Sequence, residues 1–313
     1  MASRYEPFEC KTLDGTTIRC WFYPVDRPAP AVIMSHGFHC IKELSLGPIA
    51  EMFQSRGYNV LLYDARSIGA SEGMPRNEVD PYKMSEDLSD IITHVSALPT
   101  VDSDHIFLWG MSLGGTVSGL CAAIDIRPRG LIMVCPHFSF IIEAKRKTLC
   151  KQLVRDRISQ LRGNAPLTLL SADSRGECPS GIAGPEAKGG LEWYEFMQKS
   201  AAKGLKGFTD STTLQTYRKL ALARPKEVIK ELLQEVPVLM IVPEHDNMSS
   251  PDEQKEVFES LKAPKRLYLA KGAKHLTVFS GQRSEEIIKV MEKFLKDTSK
   301  AGWKRQEDIL AIL

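Results

Sequence analysis

The stretch "HIFLWGMSLGG", residues 105–115, runs apolar as far as Trp109 and then turns to glycine, with Ser112 set among Gly110, Gly114 and Gly115. An unbroken apolar run is how a strand buried on both faces reads, and such strands belong to parallel sheets. Glycines directly behind it permit a tight turn into a helix. The spacing G-x-S-x-G adds a second meaning, a turn built to hold a serine hydroxyl at a sharp strand-to-helix corner as a nucleophile. A buried strand ending in an ordinary glycine turn gives the same letters, so the remainder of the chain has to decide.

Five similar runs flank this one: "AVIMSHG" (31–37), "NVLLYDA" (59–65), "GLIMVCP" (130–136), "VPVLMIVP" (236–243) and "RLYLAKG" (266–272). Before them, "FECKTLDGTTIRCWFYP" reads as two strands around an Asp14-Gly15 turn, an antiparallel hairpin at a sheet edge. Between them lie segments of helical period. Met84, Leu88, Ile91, Ile92 and Val95 share one face, as do Ile287, Ile288, Met291, Phe294 and Leu295 after a Ser284 N-cap. Alternation of this kind predicts an α/β fold with a mostly parallel, doubly wound sheet.

The alternation lapses between Pro136 and Glu235. Helical candidates there span Ile141–Leu161, Leu191–Lys203 and Thr212–Ala223, separated by the Gly/Pro/Ser-rich "SADSRGECPSGIAGPEAKGG". A loop that long inside a compact domain tends to be functional. The expected division is therefore a core of residues 1–136 and 236–313, with a helical cap inserted over 137–235.

Whole-chain properties narrow the class. With 313 residues, 43% hydrophobic and 26% charged, the composition is that of a globular protein, and a formal net charge of +2 offers nothing to nucleic acid. The basic cluster Lys145–Lys147 reads as a solvated helix face. No apolar stretch is long enough to span a bilayer and no secretory signal opens the chain. Seven scattered cysteines without C-x-x-C spacing suggest reduced thiols, no structural metal and a cytoplasmic location. The final "AIL" is not a peroxisomal S-K-L signal.

A serine nucleophile needs a base to take its proton and an acid to orient the base. Both are expected at the carboxyl ends of later strands, where open α/β sheets place their sites. After "VPVLMIVP" comes "EHDNMSSP", and after "RLYLAKG" comes "AKHLTVF". The order Ser112, Asp246, His275 is then nucleophile, acid, base. Glu244 is the rival acid, but Asp246, further past the strand, has more room to turn towards His275. His245 is the rival base, but it lies too close to the acid to bridge it to Ser112. The oxyanion needs two donors. These are expected from the Leu113 N–H at the helix start and from the Phe38 N–H in "SHGFH", with His36 as an anchor of that loop. Asp64 and Arg66 read as a local polar brace. In the cap, Trp193, Tyr194, Phe196 and Met197 are candidates to line an apolar acyl tunnel, or else simply to pack the cap.

Taken together, "SHGF" (35–38), "DARSIGASEG" (64–73), "GMSLGG" (110–115), "PEHD" (243–246) and "GAKH" (272–275) resemble the α/β-hydrolase superfamily across essentially the whole chain. Within it, "FTDSTTLQTYRKLALARP" (208–225) is similar to a T-x-Q-[ST]-Y…RP segment of dienelactone-hydrolase-like thiohydrolases and polyketide transferases from fungal polyketide and toxin clusters. The superfamily's D-x-R-G-x-G-x-S loop departs here, with Ser67 at a glycine position. The resemblance implies Ser112, Asp246 and His275 as triad and the Phe38 and Leu113 amides as oxyanion hole. It also implies a cofactor-free hydrolase or acyltransferase for an ester or thioester of a polyketide-type acyl chain, a substrate that a polyketide synthase carrier domain could present. A general carboxylesterase or lactonase, a cyclase or condensation enzyme, and a ligand-binding protein on the same fold are the competing readings.

Overall fold

The computed structural model describes residues 5–182 and 188–300 and the backbone of 308–310. The apolar runs form strands at the expected places. The hairpin is β1 (Glu6–Lys11) and β2 (Thr17–Tyr23), paired antiparallel. The central runs are β3 (Ala29–Ser35), β4 (Asn59–Tyr63), β5 (Val101–Met111) and β6 (Gly130–Val134). Short strands β7 (Thr168–Leu170) and β8 (Ser211–Thr213) pair only with each other. The last runs are β9 (Val238–Pro243) and β10 (Lys265–Ala270), followed by β11 (Asp308–Leu310).

Among the described residues nine strands form one sheet, in the order β1-β2-β4-β3-β5-β6-β9-β10-β11. It is parallel from β4 onward, and β2 joins it antiparallel. Every residue of β4, β6 and β9 is buried, which is why these strands carry no polar alternation.

Helices cover both faces. On one, α2 (Pro81–Ser96) and α3 (Leu113–Ala122) pack together; on the other lie α1 (Gly47–Ser55) and α9 (Arg283–Ser299), whose Phe294 and Met291 sit under Trp109 and Ile132. The α2 start is fixed by Asp80, whose side chain accepts from the Lys83 N–H. All ten residues of α3 are buried, so a helix of small side chains, "LGGTVSGLCA", is wedged against the sheet with no polar face.

Between β6 and β9 the chain leaves the sheet. It forms α4 (Glu143–Leu161), α5 (Gly189–Ala201), α6 (Leu214–Leu222) and α7 (Pro225–Leu232) before returning as β9, and α8 (Pro251–Ser260) then links β9 to β10. The three helical candidates of this region become α4, α5 and α6. The β7–β8 ribbon and α7 were not expected. Part of the Gly/Pro/Ser-rich stretch, residues 183–187, lies outside the described residues.

Candidate active site

Ser112 sits between β5 and α3 with φ 56° and ψ −123°, a conformation that a residue with a side chain adopts only when its surroundings force it. The force comes from close packing behind the turn. A Cβ on Gly110 would lie 2.2 Å from the Gly114 carbonyl oxygen, and one on Gly114 would lie 2.3 Å from that of Ser35. The glycines therefore let the first turn of α3 press against the ends of β3 and β5. Ser112 N–H donates to the Val134 carbonyl at 2.9 Å, and the Ser112 carbonyl accepts from Gly115 and Thr116.

The loop after β3 faces this corner. The Cβ position of Gly37 is 3.4 Å from Ser112 Cβ and 4.0 Å from its Oγ. Among the described residues the Phe38 and Leu113 N–H groups have no protein acceptor, so both are left for a ligand. A buried ion pair holds the loop. Asp64 accepts from Lys42 Nζ and from the Lys42 N–H at 2.7 Å each, and from the Ala70 N–H at 2.8 Å. Arg66 pairs instead with Asp87 and Asp14. Ser67, at the usual glycine position, keeps φ 65°. Its hydroxyl donates to the Glu78 carbonyl and accepts from the Glu78 N–H, while its own N–H donates to the Glu72 carbonyl. His36 is buried with Nε2 unpartnered, and burial pulls its pKa down to about 4. It lines the cavity as an uncharged imidazole, with no hydrogen bond from Nε2 to anchor the loop.

Asp246 and His275 come together across the tips of β9 and β10. His275 Nδ1 lies 3.0 Å from both Asp246 oxygens. Asp246 Oδ1 also accepts from the Met248 and Ser249 N–H groups at 2.9 and 2.8 Å, and Oδ2 from Gln254 Nε2 at 3.1 Å. Burial works against the carboxylate, but His275 and the two backbone donors outweigh it and hold its pKa below the ordinary value. Burial likewise works against a charged His275; the Cys135 sulfur beside Nε2 and the Asp246 carboxylate on Nδ1 together reverse this and raise the imidazole above its ordinary 6.5. The other ring nitrogen, Nε2, is 3.9 Å from Cys135 Sγ, a thiol that burial keeps protonated.

The rivals lie elsewhere. Glu244 accepts from the Gly272 N–H at 2.7 Å and braces the β10 turn, and the His245 side chain is 66% exposed. Ser112 Oγ makes no hydrogen bond among the described residues, so the expected contact to His275 is not closed. Such contacts commonly tighten only with substrate bound.

A cavity of about 430 Å³ opens over Ser112. His36, Phe38 and His275 line it from the core, and His137, Trp193, Phe196 and Tyr217 from the segment between β6 and β9. Trp193 donates to Ser171 Oγ at 2.8 Å and stacks on Phe196. Tyr194 and Met197, expected beside them, are not lining residues. Met197, one turn on from Trp193, is buried without reaching the cavity, because the rotation of α5 is set by what it packs on and its period alone leaves that open. Cys135, His137, Ser249 and Gln254 escaped the sequence reading, and Tyr217 entered it only as the tyrosine of the T-x-Q-[ST]-Y segment, with no role at the site. The first two follow β6 directly, so the rule that located Asp246 and His275 was available for them as well.

Cys135, Asp246 and His275 bring potential metal-ligand atoms within 4.8 Å of one another, but His275 Nδ1 is spent on Asp246 and the sulfur faces Nε2, on the opposite side of the ring. The set does not converge on one point.

A mostly parallel sheet with a strained serine at the tip of its central strand, and an Asp–His pair at the tips of later strands, is the architecture of an α/β-hydrolase enzyme. Residues 26–281 match the family described as serine aminopeptidase, S33. The chain belongs to that hydrolase family. It is 38% identical to a thiohydrolase of Eupenicillium brefeldianum, over 92% of each chain. With a polyketide transferase of Stachybotrys chlorohalonatus it shares 33% identity, over 93% of this chain and 96% of the other. The solved structure of DcsB in complex with its substrate analogue matches with a TM-score of 0.91 and 50% identity, over 94% of this chain and 99% of that one. No helix among the described residues is long and apolar enough to cross a membrane.

Proposed function

We propose that the protein is a serine hydrolase or acyltransferase for esters or thioesters of polyketide-type acyl chains, in secondary-metabolite biosynthesis. The observation that carries this reading is the buried Asp246–His275 pair at the floor of a largely apolar cavity that also exposes Ser112. The thiohydrolase and polyketide transferase among its relatives support the choice of acyl chain.

Ser112 Oγ turns from Gly37 towards His275 Nε2, loses its proton to that nitrogen and attacks the acyl carbonyl carbon. The oxyanion is received by the Phe38 and Leu113 N–H groups, the latter at the positive end of α3. Collapse of the tetrahedral intermediate breaks the bond to the thiol or alcohol, which leaves with the proton from His275. Water or an acceptor hydroxyl then gives its proton to His275 and takes the acyl group, and His275 returns that proton to Ser112 Oγ as it leaves. Residues 137–235 act as the cap over this centre, with Trp193 and Phe196 against the chain.

The test is a fluorophosphonate probe followed by intact mass after incubation with acyl thioesters. One label and one acyl adduct are expected, both abolished by Ser112→Ala. Labelling that survives the substitution removes Ser112 from the mechanism.

A further inference from the structure

The cavity wall is mainly apolar, yet two of its polar groups have hydrogen-bonding capacity that the protein leaves unused. His137 follows β6, and its backbone is clamped to α3: its N–H donates to Thr116 Oγ1, and its carbonyl accepts from that hydroxyl. The ring packs on Phe140 and sets Nδ1 2.6 Å from the hydroxyl of buried Ser249. Nε2 is then the ring nitrogen left for a bound molecule. Burial and the nearby His275 hold the imidazole's pKa down to about 4, so the ring is neutral. Among the described residues Ser249 Oγ has no second partner, so it can donate to Nδ1 or accept from it. Nε2 can correspondingly donate or accept. Tyr217 on α6 lines the same cavity, is only 3% exposed, and its phenol has no hydrogen-bond partner among the described residues.

A plain hydrocarbon chain filling this cavity would leave both groups desolvated and unpaired, which a site of this size does not tolerate without loss of affinity. The matching partner is a group that both donates and accepts. We propose that His137 and Tyr217 form a polar subsite for hydroxyl groups along the acyl chain, which makes hydroxylated acyl chains, rather than plain fatty acyl chains, the substrate class. This rests on the acyl-transfer reading for what happens to the chain, but the recognition itself does not require turnover. His137 and Tyr217 are specificity residues; the proton transfers stay with His275.

The experiment therefore uses amides, which are not turned over on the timescale of binding. Octanamide and each of its monohydroxylated isomers are titrated calorimetrically into the full chain. At least one isomer should bind about ten-fold tighter than octanamide itself, as one well-made hydrogen bond in a desolvated site provides. His137→Phe or Tyr217→Phe should collapse that ratio towards one for the isomer each serves, with an unchanged Tm confirming the fold. Tyr217→Phe removes a single oxygen and keeps the packing, so it remains informative if His137→Phe fails to fold. Equal binding of all isomers by the wild type, or a preference that survives both substitutions, overturns the proposal. Hydroxyl preference in the amides together with no acyl adduct on Ser112 would keep the subsite and reject the acyl-transfer reading.

Discussion

The strand tips and the segment that covers them solve different problems. At the tips, backbone does much of the positioning: Asp246 accepts from two N–H groups as well as from the Gln254 side chain, and Ser112 stands in a turn whose glycines admit no substitute. In the segment between β6 and β9, short backbone ladders are supplemented by side-chain contacts, such as Trp193 on Ser171 and the exposed Lys274–Glu192 pair that ties α5 to the loop of His275. The lesson is a division of labour. Under the proposed function, rigid elements would fix the reacting atoms, and a less regular excursion would decide which molecule reaches them.

That division can be broken most directly at Asp246. Asp246→Asn should slow turnover by roughly 10⁴-fold, as loss of the orienting carboxylate does in triads, whereas Glu244→Gln should be mild because Glu244 only braces a turn. The loss should be the same for short and long acyl thioesters; a loss that grew with chain length would dissolve the contrast between tip and cap. The pH profile adds a sign. The base must be neutral to work, and the carboxylate raises the pKa of His275, so wild-type kcat/KM should climb through a midpoint above 6.5 and fall away below it. In Asp246→Asn the residual activity should show that midpoint moved down.

A second test targets the loop that carries Phe38. Lys42→Met leaves Asp64 buried without its counter-ion, a change of the kind that lowers stability by about 3–5 kcal/mol. Urea unfolding followed by tryptophan fluorescence should show the loss. A variant as stable as the wild type would mean that the loop is held by packing and that the ion pair is incidental.

The smallest effect belongs to the cap. Trp193→Ala should depress kcat/KM for long acyl thioesters by about ten-fold and leave acetyl or butyryl thioesters nearly unaffected, since each methylene withdrawn from contact is worth about 0.8 kcal/mol. Equal losses for long and short chains would make Trp193 a structural residue.

The same contrast governs what could be read from the letters. The strands were legible because burial on both faces removes polar residues from "VLLY", "GLIMV" and "VLMIV" altogether. The elbow was legible because only glycine fits where α3 meets the ends of β3 and β5. In the excursion those signals fail. Three-residue strands such as "STT" are too short to show a period, and α5 is amphipathic enough to be recognised without revealing which of Trp193, Tyr194, Phe196 and Met197 faces inward. His137 was missed, and Tyr217 noted only within a family-like segment, for another reason: their significance lies in partners they lack, which no pattern of neighbours records.

The order of strands also sets a timetable. Ser112 stands just past β5, whereas the groups that would activate it arrive only after β9 and β10 have docked at the far side of the sheet. Such long-range parallel pairings form slowly and late. A chain still emerging from the ribosome thus carries its serine, glycine corner and open strand edge without any means of using the hydroxyl, and completion of the sheet is what arms it.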